Sequence, residues 1–190
     1  MIKAVIFDCF GVLVGTGLWQ IFERAGGDIE KDGAYLEDMI VQASAGKLSS
    51  QELTQSMADR IGVGVDEYRK IIEDDEQPNT DVFSFIETEL KPAYKIGLLS
   101  NATHGEIERK IPQEMRRLFD AEILSAEVGM QKPDVRIFKL AAERLAVDPN
   151  ECVFIDDREH YLEGATRVGM QTILYKDFKS FKNELERALS

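Results

Sequence analysis

The sequence contains little cysteine, and no apolar run in it is long enough to cross a membrane. Only two cysteines occur among the 190 residues. Cys9 and Cys152 both lie in apolar stretches and form no CxxC pair. This usage is typical of small buried side chains in a reducing compartment, so we expect a cytoplasmic protein. No run approaches the roughly 18 apolar residues of a membrane span, and the N-terminal apolar run is too short for a signal peptide.

Basic residues are also in deficit, since 23 Lys and Arg stand against 35 Asp and Glu, giving a net charge of −12. Binding to nucleic acid or to an anionic membrane surface needs clustered Lys and Arg, so neither is expected as a main partner. The composition, 44% apolar and 31% charged, is that of a soluble globular protein. An anionic substrate would need a positive charge within its own binding site.

What the sequence does contain is an alternation of short apolar segments with amphipathic ones. The apolar segments predict strands at residues 3–8, 95–100, 121–125, 152–155 and 172–175. Helical patterns lie between them, and this order predicts a doubly wound parallel α/β sheet.

The alternation is interrupted after the first predicted strand. Residues 17–77, here called the helical insert, carry successive helical patterns punctuated by glycines and no strand-like run. Ser49 and Glu52 have the spacing of a capping box at one helix start. We expect a small all-helical domain at 17–77 inserted into an α/β core formed by 1–16 and 78–190.

Polar residues stand where the predicted strands and one loop end: Asp8, Ser100 with Asn101, Lys132, and Asp156 with Asp157. The carboxyl ends of parallel strands meet at one edge of the sheet, where such folds bind ligands. Converging carboxylates repel each other and need a divalent cation, and hard oxygen ligands suit Mg²⁺. Lys132 and Ser100 supply the point charge and the directional donor that a tetrahedral oxyanion requires. Asp8 could then be a metal ligand, a nucleophile, or both.

These segments, in this order, resemble the four motifs of the haloacid dehalogenase (HAD) superfamily over nearly the whole chain. They read FDCFGVL at 7–13, LLSN at 98–101, QKPD at 131–134 and FIDD at 154–157. The helical insert is similar to the C1 cap of subfamily I, which closes over the active site. The resemblance implies a HAD-type Rossmann-like core and a Mg²⁺-dependent phosphatase or phosphotransferase that acts on a small phosphorylated molecule.

The resemblance also implies roles for individual residues. Asp8 would be the nucleophile that forms an aspartyl intermediate. Ser100 and Lys132 would hold the transferring group. Asn101, from its position directly after a strand, is expected to cap the following helix and also to touch the substrate. The metal ligands would be Asp8, the backbone carbonyl of Phe10 and Asp157, with Asp156 as a further ligand or a neighbour of the ligands.

One position departs from the pattern. Phosphatases of the family usually carry a second Asp two residues after the nucleophile, where it acts as general acid and base, and this chain has Phe10 there. A first interpretation is a phosphatase for leaving groups that need little protonation, such as acyl phosphates or anomeric sugar phosphates. A second is a catalytically weak member that binds a phosphorylated ligand or a protein. His104, after the second motif, is a candidate replacement acid or base.

A third interpretation is a 2-haloacid dehalogenase, because halide departs without a proton and those relatives carry an aromatic residue near the nucleophile. That branch needs no metal, whereas this chain keeps Asp156 and Asp157. Arg24 is a candidate, by position alone, for holding the carboxylate of a haloacid.

Within the insert, Trp19 and its aromatic neighbours are expected to form a small core, with one of them facing the substrate.

Overall fold

The computed structural model describes residues 1–15, 17–44, 47–102 and 105–189. His104, the candidate acid or base, lies outside the described residues. The fold is an α/β sandwich in which a central parallel sheet carries helices on both faces. None of the described helices combines the length and the apolar composition that a membrane span requires.

Five short strands form the sheet, in the order β3-β2-β1-β4-β5, and every pairing is parallel. The strands are β1 (Ala4–Phe7), β2 (Lys95–Ser100), β3 (Ala121–Leu124), β4 (Cys152–Asp156) and β5 (Gln171–Leu174). The predicted parallel sheet is therefore confirmed, and no strand end differs from the prediction by more than one residue. Strand β1 lies at the centre, where both of its neighbours can bring side chains to its end.

Side chains of β1 alternate between the two faces of the sheet. Val5 and Phe7 pack into one hydrophobic cluster with the helices Thr80–Phe85 and Phe178–Leu189. Ala4 and Ile6 pack into a second with the helices Val135–Arg144 and Glu159–Thr166. All four residues are fully buried, which explains why the segment is apolar at every position rather than at alternate ones. The helices of these clusters are α5 (Thr80–Phe85), α9 (Val135–Arg144), α10 (Glu159–Thr166) and α11 (Phe178–Leu189).

The helical insert contains four helices with a hydrophobic cluster of their own. They are α1 (Leu18–Arg24), α2 (Ile29–Ser44), α3 (Ser50–Ile61) and α4 (Val65–Asp75). Phe22, Leu36, Met57 and Tyr68 are fully buried among them. The predicted capping box is present, because the Ser49 side chain accepts from the Glu52 amide and Glu52 accepts from the Ser49 amide. The predicted domain boundaries at 16/17 and 77/78 remain a prediction.

The helical pattern at 106–118 is interrupted at Pro112, as its inability to donate an amide hydrogen bond predicts, and forms α6 (Glu106–Lys110) and α7 (Gln113–Arg116). Other short helical segments were not predicted. A short α8 (Ser125–Val128) follows β3 where no helix was expected, and α5 continues into a π-helical turn (Ile86–Leu90). A 3₁₀ turn (Pro149–Glu151) precedes β4.

Candidate active site

The sheet register brings the predicted functional residues to one edge. Phe7 on β1 pairs with Leu98 on β2 and with Ile155 on β4. Asp8 follows Phe7 directly, and its amide donates to the Ile155 carbonyl at 2.9 Å. The carboxylate is therefore fixed at the end of the central strand.

Asp8 and Lys132 form a buried ion pair at this edge. Lys132 Nζ lies 2.7 Å from Asp8 Oδ1 and 2.6 Å from Asp156 Oδ2. The lysine is only 2% exposed and Asp8 only 6%. The Lys132 ammonium also lies 4.8 Å from the centre of the Tyr161 ring. One buried cation thus pairs with two buried carboxylates. Removing this cation would leave both carboxylates buried without their partner, which is strongly destabilising.

Asn101 holds the loop that carries this lysine. Its side-chain oxygen accepts from the Lys132 amide at 2.8 Å, and its side-chain nitrogen donates to the Lys132 carbonyl at 3.1 Å. Asn101 follows β2, so these two bonds tie the end of β2 to the loop before α9. The prediction that Asn101 caps the following helix is wrong, because α6 begins after Gly105 without a side-chain cap and the Asn101 amide is engaged by Lys132 instead. Asn101 also lines the cavity described below.

Three carboxylates meet beside the lysine. Asp8, Asp156 and Asp157 each offer an oxygen, and these atoms lie within 4.8 Å of one another. Both oxygens of Asp156 already accept hydrogen bonds, from Lys132 Nζ and from the Arg158 amide at 2.9 Å. The Asp157 carboxylate has no hydrogen bond or ion pair within the described ranges.

Among the described residues, the cluster sets three carboxylates against one cation in ion-pair contact, Lys132, so negative charge is in excess. Burial raises the pKa of Asp8 to about 7, with Asp156 adding to the rise and Lys132 opposing it. Burial also raises the pKa of Asp157 to about 8, and the neighbouring Asp8 and Asp156 raise it further. Burial lowers the pKa of Lys132, but the attraction of the Asp156 and Asp8 carboxylates outweighs it and raises this pKa above its usual range. A divalent cation would relieve the repulsion, and oxygen donors at this spacing fit Mg²⁺.

A tight turn after β1 places the backbone against Asp157. The Gly11 amide donates to the Val14 carbonyl at 2.9 Å, and Gly11 has a φ of 85°. A Cβ at position 11 would collide with Asp157 Oδ2, so this glycine is required both by its conformation and by the close approach. No feature of the sequence points to this contact between Gly11 and Asp157.

Ser100 lies at the end of β2, is fully buried, and belongs to the same site. Its hydroxyl has no hydrogen-bond partner among the described residues. An unpaired buried hydroxyl is costly, and it is a donor available to a bound oxyanion. Ser100 also lines the cavity, next to Asp8 and Lys132.

A cavity of about 380 Å³ opens between the sheet edge and the helical insert. Of the predicted site residues, it is lined by Asp8, Phe10, Ser100, Asn101, Lys132 and Asp157. Asp156 is not part of the described lining of the cavity and contacts Lys132. Phe10 is half-buried and packs against the hydrophobic cluster that contains Val5 and Phe7.

Sequence reasoning missed Arg158, which connects the core to the insert. Its guanidinium donates to the Tyr161 hydroxyl at 2.8 Å and forms an ion pair with Glu37 on α2. It also lies 5.0 Å from the Trp19 ring centre. The only available signal was its position directly after Asp157. Trp19 itself lines the cavity as well as packing in the insert.

The structure gives Arg24 a different partner from the one considered above. Its guanidinium forms an ion pair with Asp75, at the end of α4, and Arg24 is absent from the described lining of the cavity. A role in holding the carboxylate of a haloacid would require this pair to separate.

Comparisons with known proteins show which family and which folds this chain resembles. The family model of the haloacid dehalogenase-like hydrolases matches residues 2–169. A phosphatase of Mycobacterium tuberculosis is 27% identical over 210 residues, covering 100% of this chain and 94% of that protein. Bifunctional epoxide hydrolase 2 of Sus scrofa is 45% identical over 74 residues, which make up 39% of this chain but only 13% of the pig protein.

Among solved structures, a HAD family enzyme from Bacteroides thetaiotaomicron, in complex with magnesium and inorganic phosphate, has a TM-score of 0.65. The alignment covers 95% of this chain and 99% of that one at 22% identity, a level of likeness that shows the shared fold. The family match spans most of the sequence, including all four motifs and the carboxylate cluster. The chain therefore belongs to the haloacid dehalogenase-like hydrolases.

Proposed function

We propose that this protein is a Mg²⁺-dependent phosphatase or phosphotransferase that acts on a small phosphorylated metabolite through an aspartyl-phosphate at Asp8. The observation that carries the proposal is the buried pair between Asp8 and Lys132, set in a carboxylate cluster that faces a cavity. The relative named as a phosphatase supports the same reaction class. The modest cavity favours a small molecule over a macromolecule.

The proposed chemistry begins at the Asp8 carboxylate. One of its oxygens attacks phosphorus, the bond from phosphorus to the leaving oxygen breaks, and the leaving group departs with the electron pair. Lys132 and the Ser100 hydroxyl hold the phosphoryl oxygens during this transfer. Water then attacks phosphorus, the bond to Asp8 breaks, and the carboxylate is restored while the proton of the water passes to solvent.

Asp8, Asp157 and the backbone carbonyl of Phe10 would hold the Mg²⁺. Asp156 has both oxygens engaged by Lys132 and the Arg158 amide, so we assign it mainly to positioning the lysine. A bound Mg²⁺ supplies charge stabilisation for the phosphoryl oxygens and offsets the repulsion among the carboxylates. The free and buried Cys9 and Cys152 suit the reducing cytoplasm in which such an enzyme would work.

Phe10 limits which substrates can react well. With no ionisable group at that position, no side chain there can protonate the leaving oxygen, a contribution that is typically worth about 10²–10⁴-fold in rate. Leaving groups that are stable as anions need no such proton. We therefore expect acyl phosphates or anomeric sugar phosphates to be preferred over alkyl phosphates.

Two alternatives remain as outcomes of a test. A 2-haloacid dehalogenase would release halide without metal, yet Arg24 is paired with Asp75. A weakly active binding protein would hold a phosphorylated ligand without turnover, yet it would retain a costly cluster of buried carboxylates.

The test is a panel of phosphate esters, acyl phosphates and 2-chloropropionate, assayed with Mg²⁺ and with EDTA. We expect phosphate release that needs Mg²⁺ and is lost in Asp8→Asn. Chloride release that is insensitive to EDTA would identify a dehalogenase instead. A folded protein that binds phosphate but releases neither product would identify the binding protein.

A further inference from the structure

The helical insert contributes a group of apolar side chains to the cavity, and the phosphoryl chemistry uses none of them. All four helices of the insert contribute to this surface, here called the apolar wall: Leu18, Ile21, Ile40, Ala43, Leu53 and Ile72. Leu18, Ile40, Leu53 and Ile72 are only partly buried, although they pack on the insert's own cluster. Their remaining apolar surface is therefore available to a bound ligand.

The opposite side of the same cavity is polar. There the core contributes Asp8, Ser100, Lys132 and Asp157, the groups assigned to the phosphoryl reaction. A ligand that fills the whole cavity must match both sides. It must carry a phosphoryl group at one end and apolar surface at the other.

The charged residues of the lining do not change this pattern. Arg158 is paired with Glu37, and Lys110 is paired with Glu76. Other charged lining residues are exposed to solvent: Arg69, Glu73 and Arg109. Asp75 is paired with Arg24, and Glu106 is a further, half-buried carboxylate on the core side. The other charged lining residues outside the phosphoryl site are therefore paired or exposed to solvent.

Hydroxyl groups are scarce on the insert side. Within the described part of the insert, only Ser50 and Thr54 contribute hydroxyl side chains to the lining. A sugar would place several hydroxyls against the apolar wall, and each one left without a partner would weaken binding. Between the two substrate classes that Phe10 permits, the cavity therefore favours the one without hydroxyls.

We propose that the leaving group is the carboxylate of a small apolar acid, so that the substrate is an acyl phosphate whose hydrocarbon body lies on the apolar wall. This inference rests on the proposed function. The cavity, at about 380 Å³, is near the low end of the range for small-molecule sites, about 300–1,000 Å³. The body is thus a short chain or a single ring.

Ligand binding can be measured without turnover. Trp19 is the single tryptophan of the chain and lines the cavity, so its fluorescence reports on ligands there. Methyl-, butyl- and hexylphosphonate carry a stable carbon–phosphorus bond and would be titrated in Mg²⁺, with calorimetry as a second readout. Each added methylene should lower Kd by about fourfold, because burying one is worth about 0.8 kcal/mol. A dihydroxypropyl phosphonate should bind more weakly than propylphosphonate.

The chain offers a matched pair of variants. Ile40→Asn places a polar group in the apolar wall and should remove most of the dependence on chain length. Val41→Asn changes the neighbouring residue of the same helix, which is 44% exposed and does not line the cavity, and should leave that dependence intact. Leu53→Asn on α3 provides a second wall variant if Ile40→Asn does not fold.

The outcomes separate this inference from the proposed function. Equal Kd values for the three phosphonates would overturn the apolar wall as a binding surface, even if the protein releases phosphate from other substrates. Tighter binding with chain length supports the inference. If hexanoyl phosphate then bound without releasing phosphate in Mg²⁺, the proposed phosphatase activity would be refuted. The inference that the cavity binds phosphorylated ligands with an apolar body would still hold.

Discussion

Lys132 Nζ lies 2.7 Å from Asp8 Oδ1, and both groups are almost completely buried at the end of the central strand. The same ammonium lies 2.6 Å from Asp156 Oδ2. The lysine is therefore the counter-ion of two buried carboxylates. The group that would stabilise a phosphoryl anion during reaction also stabilises the resting fold.

Replacing this lysine should destabilise the protein strongly. Lys132→Met keeps the length of the side chain but leaves Asp8 and Asp156 buried without their cation. Breaking a buried ion pair from one side costs roughly 3–5 kcal/mol. Urea unfolding at pH 8 in EDTA would measure this loss, because no metal can then take the place of the ammonium.

Lys182→Met is the control for that experiment. Lys182 lies 2.6 Å from Glu89, and both side chains are partly exposed. Exposed pairs contribute about 0–1 kcal/mol, so the variant should stay near wild-type stability. Equal losses in the two lysine variants would show that the buried cation has no special part in the fold.

The stability of the metal-free protein should fall as the pH rises. The pKa of Asp8 is about 7 and that of Asp157 about 8 in the folded protein, both raised mainly by burial above the ordinary value of 3.8. Between about pH 4 and pH 8 the folded state therefore binds more protons than the unfolded state, and its free energy of unfolding decreases with pH. Mg²⁺ competes with these protons and should raise Tm more at pH 8 than at pH 6.

Thermal unfolding in EDTA and in Mg²⁺ at the two pH values checks this expectation. Asp157→Asn serves as the control, because it removes one of the two titrating groups and should shrink the difference in Mg²⁺ stabilisation. An equal rise of Tm at pH 6 and pH 8 in the wild-type protein would contradict the link between these carboxylates and the metal.

The sequence predicted the parallel sheet and the edge where the functional residues meet, for a clear physical reason. Each buried strand is a short apolar run, and polar residues such as Asp8 and Ser100 stand out because they end such runs. The order of strands and helices then determines that these ends share one edge. Contacts between residues far apart in the chain produce no comparable pattern in the sequence. The ion pair between Arg158 and Glu37, and the two engaged oxygens of Asp156, became visible only in three dimensions.

Gly11→Ala should weaken Mg²⁺ binding without unfolding the protein. The added methyl group would collide with Asp157 Oδ2 and displace that carboxylate. Changes that misplace a metal ligand typically cost about 10–100-fold in affinity, which isothermal titration calorimetry with Mg²⁺ would measure.

Gly26→Ala separates the collision from backbone strain. Gly26 also has a positive φ, 99°, but nothing lies within 4 Å of a Cβ at that position. It should lose stability, by about 1 kcal/mol, and keep its Mg²⁺ affinity. The collision with Asp157 would be refuted as the cause if both alanine variants bound Mg²⁺ as the wild-type protein does.

Phe10→Asp should extend activity to alkyl phosphates. The new carboxyl group would stand where phosphatases of the family carry their general acid, and it can protonate a basic leaving oxygen. We expect a gain of about tenfold or more in kcat on an alkyl phosphate, within the usual range for such catalysis, and a smaller change on an acyl phosphate. Steady-state kinetics on both substrates would show the difference.

Phe10→Asn is the matched control, because it has nearly the same shape as the aspartate variant but cannot transfer a proton. It should show no gain on alkyl phosphates. A folded Phe10→Asp protein with no gain either would mean that the missing acid is not what limits this site.

The central claim is that phosphoryl transfer occurs onto Asp8, and trapping the intermediate tests it most directly. The protein would be mixed with hexanoyl phosphate and Mg²⁺, quenched in acid within the first turnover, and digested for mass spectrometry. We predict one phosphoryl group on the peptide that contains Asp8, and none when Asp8→Asn or EDTA is used. Release of phosphate without any phosphoryl group on Asp8, or its appearance on another residue, would contradict the account.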